Sequence, residues 1–211
     1  MQMIKQGIDL SRWNIVTSFD DVKKSGIDFV IIRIGGSNGG YYKDPKFELY
    51  YKAAKKAGLK VGCYYDTGKE FIDSAHGYAA AEHMLSLLEG HEFEYPVYAD
   101  IETVATTYRS GATDAAIAFC SKLESSKYFA GIYASDISGF KDRLELSRLE
   151  GRFSLWVARY GKQPSYVSKY DMWQKSSTGS VDGVLGKVDL DECYTNFPSI
   201  IKKAKLNNLG G

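Results

Sequence analysis

Short apolar runs and amphipathic stretches take turns along most of the chain. Gly7 to Ser11 reads as a first strand and Phe29-Val-Ile-Ile-Arg-Ile34 as a second, a continuous apolar run of strand type. Between them Ser18-Phe-Asp-Asp21 is a capping-box helix start, with Val22 on the apolar side and Gly26 as the stop. A glycine-rich loop, Gly35-Gly-Ser-Asn-Gly-Gly40, follows. Asp44 is expected to cap the next helix with Pro45 at its first position; Phe47, Tyr50, Tyr51 and Ala54 line one face and Gly58 ends it. Lys60 to Tyr65 predicts a third strand, Ser74 to Leu88 a long helix stopped by Gly90, and Val97 to Ile101 a fourth strand. Thr113 to Ser125 predicts a helix, Phe129 to Ala134 a fifth strand, Asp136 to Leu149 an irregular helical stretch, and Ser154 to Tyr160 a sixth strand.

There the rhythm breaks. Only Gly161 to Lys169 separates the sixth strand from Tyr170-Asp-Met-Trp-Gln174, whereas a parallel crossover takes a dozen or more residues and usually a helix. The next gap, Ser176 to Gly186, is rich in Ser and Gly, and Val188 to Asp191 then alternates as a last strand. Strands six to eight are therefore expected without helices between them, with at least one antiparallel pairing. The fold class that results is α/β: a TIM-like barrel of the irregular (β/α)5(β)3 type, with eight strands and five main helices. Phe197, Ile200, Ile201 and Ala204 mark a final amphipathic helix. Residues 1–206 read as a single barrel, and Asn207 to Gly211 as a frayed tail or linker stump.

Composition narrows the functions. The 211 residues carry 27 basic and 26 acidic side chains, net +1, so no broad field favours nucleic acid or an anionic membrane. Lys23-Lys24, Lys55-Lys56 and Lys202-Lys203 fall where helix surfaces are expected. Cys63, Cys120 and Cys193 are odd in number and far apart, which argues against a disulfide framework. His76, His83 and His91 have no metal-type spacing, so neither a metal nor a cofactor is expected. Met1 to Lys5 runs into the first strand without the apolar core of a signal peptide, and no run approaches a membrane span of about 20 residues. Sixteen tyrosines, ten phenylalanines and three tryptophans are a high aromatic load; part of it must fill core, and the excess of Tyr over Phe suits a groove that stacks on sugar rings.

The chemistry concentrates in Tyr95-Pro-Val-Tyr-Ala-Asp-Ile-Glu-Thr103. Residues two apart on a strand point the same way, so Asp100 and Glu102 share one face. Crowded carboxylates repel, which raises the pKa of at least one and leaves a proton donor of the kind that glycoside hydrolysis uses. Asp9 ends the first strand, and Asp189 and Asp191 lie in the last. Acids at the ends of separate parallel strands imply one rim, where barrels of this kind build active sites.

Six motifs in order carry a family resemblance: Gly7-Ile-Asp-Leu-Ser11 with Trp13; Asp44-Pro-Lys-Phe47; Ala57-Gly-Leu-Lys-Val-Gly62; Pro96-Val-Tyr-Ala-Asp-Ile-Glu102; Leu155-Trp-Val-Ala-Arg-Tyr160; and Trp173-Gln-Lys-Ser-Ser177 leading to Val188-Asp-Leu-Asp191. From Gly7 to about Ile201 the chain resembles the glycoside hydrolase family 25 muramidases of phage endolysins and bacterial autolysins. The resemblance implies the same five-plus-three barrel and cleavage of the β-1,4 bond between N-acetylmuramic acid and N-acetylglucosamine in peptidoglycan. It places the catalytic acid on Glu102, its neighbouring carboxylate on Asp100 and two flanking acids on Asp9 and Asp189. The family's third strand usually ends Tyr-His-Phe, where this chain has Tyr64-Tyr65-Asp66.

Glu102 is expected to protonate the leaving oxygen. Either another carboxylate attacks or activates water, or the substrate's own acetamido group attacks with Asp100 orienting it; the pairing of two acids on one strand favours the second. Tyr64, Tyr133, Trp156, Trp173, Gln174 and Asp191 are candidates for the sugar groove, and Arg33 for pairing with a rim acid or a substrate carboxylate. The expected partner is bacterial peptidoglycan, met by a monomer made in the cytoplasm and released as phage lysins are or carried on a virion. Two rivals remain: a wall-binding barrel without catalysis, and a chitinase-like hydrolase.

Overall fold

A computed structural model describes residues 4–209. Met1–Met3, part of the segment read as lacking a signal sequence, and Gly210–Gly211, the end of the expected tail, lie outside the described residues. Eight strands close a barrel: β1 (Lys5–Leu10), β2 (Phe29–Gly36), β3 (Lys60–Asp66), β4 (Val97–Asp100), β5 (Ala130–Ser135), β6 (Ser154–Ala158), β7 (Met172–Gly179) and β8 (Val188–Cys193). Successive strands from β1 to β7 pair in parallel, and β8 runs antiparallel to both β7 and β1, closing the ring. Tyr42–Lys43 adds a short edge to β2, and Ile15–Val16 pairs with Val184–Leu185 outside the barrel. The helices are α1 (Phe19–Lys24), α2 (Phe47–Lys56), α3 (Ser74–Leu88), α4 (Arg109–Ser125) and α5 (Phe197–Ala204). The fifth crossover uses a π-helical turn at Asp136–Lys141 and a 3₁₀ turn at Leu146–Arg148 instead of an α-helix.

Alternation along the strands separates two apolar layers. Val97, Ala99 and Ile101, for example, face the helices, whereas Tyr98 faces the barrel axis with Phe29, Ile31, Tyr133, Trp156 and Met172. Gly131 makes room for this filling, because a Cβ there would sit 2.4 Å from the Tyr98 ring. Phe197 and Ile201 of α5 join the same layer beside Tyr95 and Phe129, so this helix stoppers the end of the barrel where the parallel strands begin. The carboxyl-lined cleft lies at the other end.

Four expectations need correction. α4 begins at Arg109, not Thr113; Gly111 lies within its first turn and lets the helix approach the Ile72 carbonyl, which a Cβ would meet at 1.9 Å. Asp44 does not cap α2, whose first residue is Phe47; its carboxylate takes Arg33 Nε at 2.8 Å and the Arg12 and Lys46 amides at 3.1 and 3.0 Å. Ser176–Gly179, read as loop, extends β7. Asn207–Leu209 are not frayed: Asn207 is fully buried, accepts from the Phe129 amide at 2.7 Å and donates to the Tyr95 carbonyl at 2.9 Å.

The short link from β6 to β7 nevertheless makes a parallel crossover without a helix. The buried Asp136 carboxylate does the helix's work there. It accepts from the Ser165, Tyr166 and Val167 amides at 2.9, 3.1 and 2.9 Å and from Arg159 Nη1 at 2.6 Å. Burial works to raise its pKa, but these donors outweigh it and hold the carboxyl below its ordinary value.

Candidate active site

At the open end of the barrel a cleft of about 160 Å³ is lined by Asp9, Tyr64, Asp100, Glu102, Tyr133, Trp156, Tyr160, Gln174 and Asp189. Asp100 ends β4, and the Ile101 amide continues the ladder by donating to the Tyr133 carbonyl at 3.0 Å. That extra rung keeps the alternation going, so Glu102 turns inward beside Asp100 while Ile101 is buried outside. β1 and β8 bring Asp9 and Asp189 opposite each other in register. The carboxyls inferred from strand ends thus converge.

Burial is the first cause of every shift among these acids. Asp100 is pushed well above its ordinary value by burial and then by the charges of Glu102 and Asp66. Asp9 is pushed well up by burial, Asp191 and Asp189, with the Gln174 bond opposing. Asp189 and Glu102 are raised by burial too. Glu102 is open to solvent at the mouth while its carboxyl end sits among the cleft walls, so burial moves it less than it moves Asp100. Of the two carboxyls the larger rise falls on Asp100, the deeper one.

A hydrogen-bond chain crosses the cleft. Gln174 Nε2 donates to Asp9 Oδ2 at 2.7 Å, and Gln174 Oε1 accepts from Tyr133 at 2.8 Å and Tyr160 at 3.1 Å. The Tyr133 hydroxyl also lies 3.4 Å from Glu102 Oε1. Tyr133 and Trp156 pack at 4.4 Å between ring centroids, with Tyr64 edge-on to Trp156 at 6.3 Å. Asp100 Oδ1 is buried without a hydrogen-bond partner among the described residues.

Three candidates do not line the cleft. Trp173 points out of the barrel and donates its indole N–H to the Arg159 carbonyl at 2.7 Å. Asp191 lies below the floor, fully buried, where Trp156 donates to it at 2.9 Å. Arg33 pairs with Asp44 at 2.8 Å and is only 8% exposed. Tyr160 was overlooked, although alternation from Trp156 through Ala158 places it on the same inner face. Arg143 gave no signal, because it sits in an irregular segment, bonded to the Val104 and Ser138 carbonyls at 2.6 and 2.9 Å; its charge acts against the rise at Glu102. Among the described residues no group of three or more His, Cys, Asp or Glu is placed to hold a metal ion.

The profile of glycosyl hydrolases family 25 matches residues 8–184, which span the acids from Asp9 to Glu102. The chain belongs to this family. The autolytic lysozyme of Clostridium acetobutylicum is 28% identical over 188 residues, covering 89% of this chain and 55% of that protein. Lysozyme M1 of Streptomyces globisporus is 26% identical over 203 residues, covering 87% of this chain and 66% of that protein. The chain thus spans about half to two thirds of the length of these relatives. Among solved structures, the CTP1L endolysin superposes with a TM-score of 0.80 at 25% identity, over 94% of this chain and 70% of that one. The five-plus-three barrel is therefore the family 25 fold, arrived at from the rhythm of the sequence and from the strand pairings alike.

Proposed function

We propose that this family 25 barrel is a peptidoglycan muramidase that hydrolyses the β-1,4 bond between N-acetylmuramic acid and N-acetylglucosamine. Glu102 protonates the leaving oxygen, and its exposed place at the mouth suits a group that must reach the glycosidic bond. The observation that carries the rest is Asp100 Oδ1, buried beside Glu102 with no partner of its own among the described residues. An unpaired buried acceptor costs free energy, and an acetamido N–H from the substrate would satisfy it. Asp100 so placed orients the acetamido oxygen for attack, the substrate-assisted route. Asp9 and Asp189 shape the opposite wall, and Tyr64, Tyr133, Tyr160 and Trp156 present ring edges and hydroxyls to the sugar. The carboxyls supply the chemistry without metal or cofactor. The chain acts as a monomer on the bacterial wall; no described helix is long and apolar enough to cross a membrane.

Borohydride reduction of digested walls tests the bond. A muramidase leaves N-acetylmuramic acid at each new reducing end, which borohydride reduces to its alditol. New glucosamine alditol in its place, or cleavage of chitin oligomers as fast as walls, would replace this reading with another glycosidase. Binding with no new reducing ends would leave a wall-binding barrel.

A further inference from the structure

The hydrogen-bond inventory around Gln174 decides which way a proton points at Glu102. Gln174 is buried, and its amide has an NH₂ group and one oxygen with two lone pairs. The NH₂ group donates to Asp9 Oδ2 at 2.7 Å. Both lone pairs are filled, by the Tyr133 hydroxyl at 2.8 Å and the Tyr160 hydroxyl at 3.1 Å. Each phenol has a single proton. Tyr133 gives its proton to the shorter contact, so it presents oxygen lone pairs toward Glu102 Oε1, 3.4 Å away. Lone pairs repel a carboxylate and accept from a protonated carboxyl. The opposite arrangement, with the Tyr133 proton turned to Glu102, would hold that carboxyl down and leave Gln174 Oε1 half filled.

We propose that Gln174 and Tyr133 are positioning residues that favour a protonated Glu102, with Tyr160 locking the amide in that orientation. Its use in catalysis rests on Glu102 being the general acid; the coupling itself does not. Other groups face Glu102 and Asp9 from every side. Glu102 meets Asp66 from β3, Asp100 from β4, Arg143 from the segment after β5, Tyr160 after β6 and Asp189 from β8. Asp9 meets Tyr64, Asp100, Asp189 and Asp191. Among these neighbours Arg143 is the cation, and it favours an ionised Glu102; the relay opposes it. With the amide turned over, its NH₂ group would donate to the phenol oxygens and free the Tyr133 proton for Glu102, favouring the ionised carboxyl.

Gln174→Met keeps bulk at the site and frees the Tyr133 proton for Glu102. Titration of the Glu102 carboxyl by ¹³C NMR in the substrate-free protein should then give a pKa about half to one unit below wild type, the worth of one hydrogen bond. The upper limb of the pH profile for wall lysis should fall by the same amount. Tyr133→Phe alone should also lower the Glu102 pKa, since an acceptor is lost; losing a donor would raise it. In the Tyr133→Phe background, Gln174→Met should move Glu102 by less than half as much as it does alone. An unchanged or raised Glu102 pKa in either single variant overturns the proposal, and so does an undiminished shift in the double variant. The NMR titration needs no substrate, so a wild-type protein that fails to cut walls would sink the muramidase reading alone.

Discussion

Trp156 donates its indole N–H to Asp191 Oδ1 at 2.9 Å, so a ring that walls the cleft also anchors a carboxyl fully closed to solvent. Asp191 Oδ2 has no partner among the described residues. Trp156→Phe keeps an aromatic wall but orphans this acid. Thermal unfolding at neutral pH should register a loss of about 1–3 kcal/mol, the cost of a buried polar group left unpaired. An unchanged midpoint would mean that Asp191 finds another donor.

The crowding of Asp191, Asp9 and Asp100 also sets how stability varies with pH. Burial comes first in raising all three, so each binds its proton more tightly folded than unfolded. The stability they contribute is complete below the unfolded value of about 3.9 and is lost as pH rises through their folded values. The melting temperature should therefore decline from mildly acidic toward neutral pH. Asp191→Asn keeps an acceptor for Trp156 and removes one titrating group, so its melting curve against pH should be flatter and should lie above wild type at the upper end. A steeper curve would show that Asp191 is ionised in the fold.

Asp136 organises the helix-free link from β6 to β7, and Tyr160 sits in that link. Asp136→Ala strands three backbone amides and the Arg159 guanidinium together, a loss of about 3–5 kcal/mol when one side of a buried pair is removed. Hydrogen exchange at Ser165 to Val167 should accelerate before the rest of the barrel opens. Protection equal to wild type there would refute the role given to this carboxylate.

Much of this was legible because barrels repeat a simple pattern. Alternation placed Asp100 with Glu102 and, from another strand, Asp9. The rhythm break after Ser154–Tyr160 foretold the helix-free closure. What escaped was tertiary. Trp173 and Gln174 are adjacent and equally plausible as sugar contacts, but the pleat sends one out and the other in, and the phase is fixed only by pairing with β6 and β8. Arg33 pairs with Asp44 because the edge strand Tyr42–Lys43 folds back on β2, which periodicity does not encode. Asn207 looked like tail because its partners, Phe129 and Tyr95, are 78 and 112 positions away.

Glu102→Gln is nearly isosteric, and its side chain sits exposed at the mouth, so the fold should survive with its melting temperature almost unchanged. Wall lysis should fall by at least about 10²–10⁴-fold, the usual worth of general acid catalysis. Turbidity loss within a few-fold of wild type would remove Glu102 from that role.

The same variant isolates binding from cleavage. Positive and negative side chains nearly cancel, 27 against 26, so long-range attraction of this chain to anionic wall polymers is weak, and screening by salt weakens it further. Affinity must then come from short-range contacts, which the proposed function assigns to the cleft of about 160 Å³ walled by Tyr64, Tyr133, Trp156 and Tyr160. A cleft of that size holds few sugars, so binding should be modest. Pull-down of Glu102→Gln on intact walls should therefore be weak, little changed by added salt, and abolished by excess muropeptide oligomers that fill the cleft. Tight binding that survives the oligomers would place a second wall-recognising surface elsewhere on the barrel. Binding that collapses with salt would show that charge dominates despite the near-zero net balance.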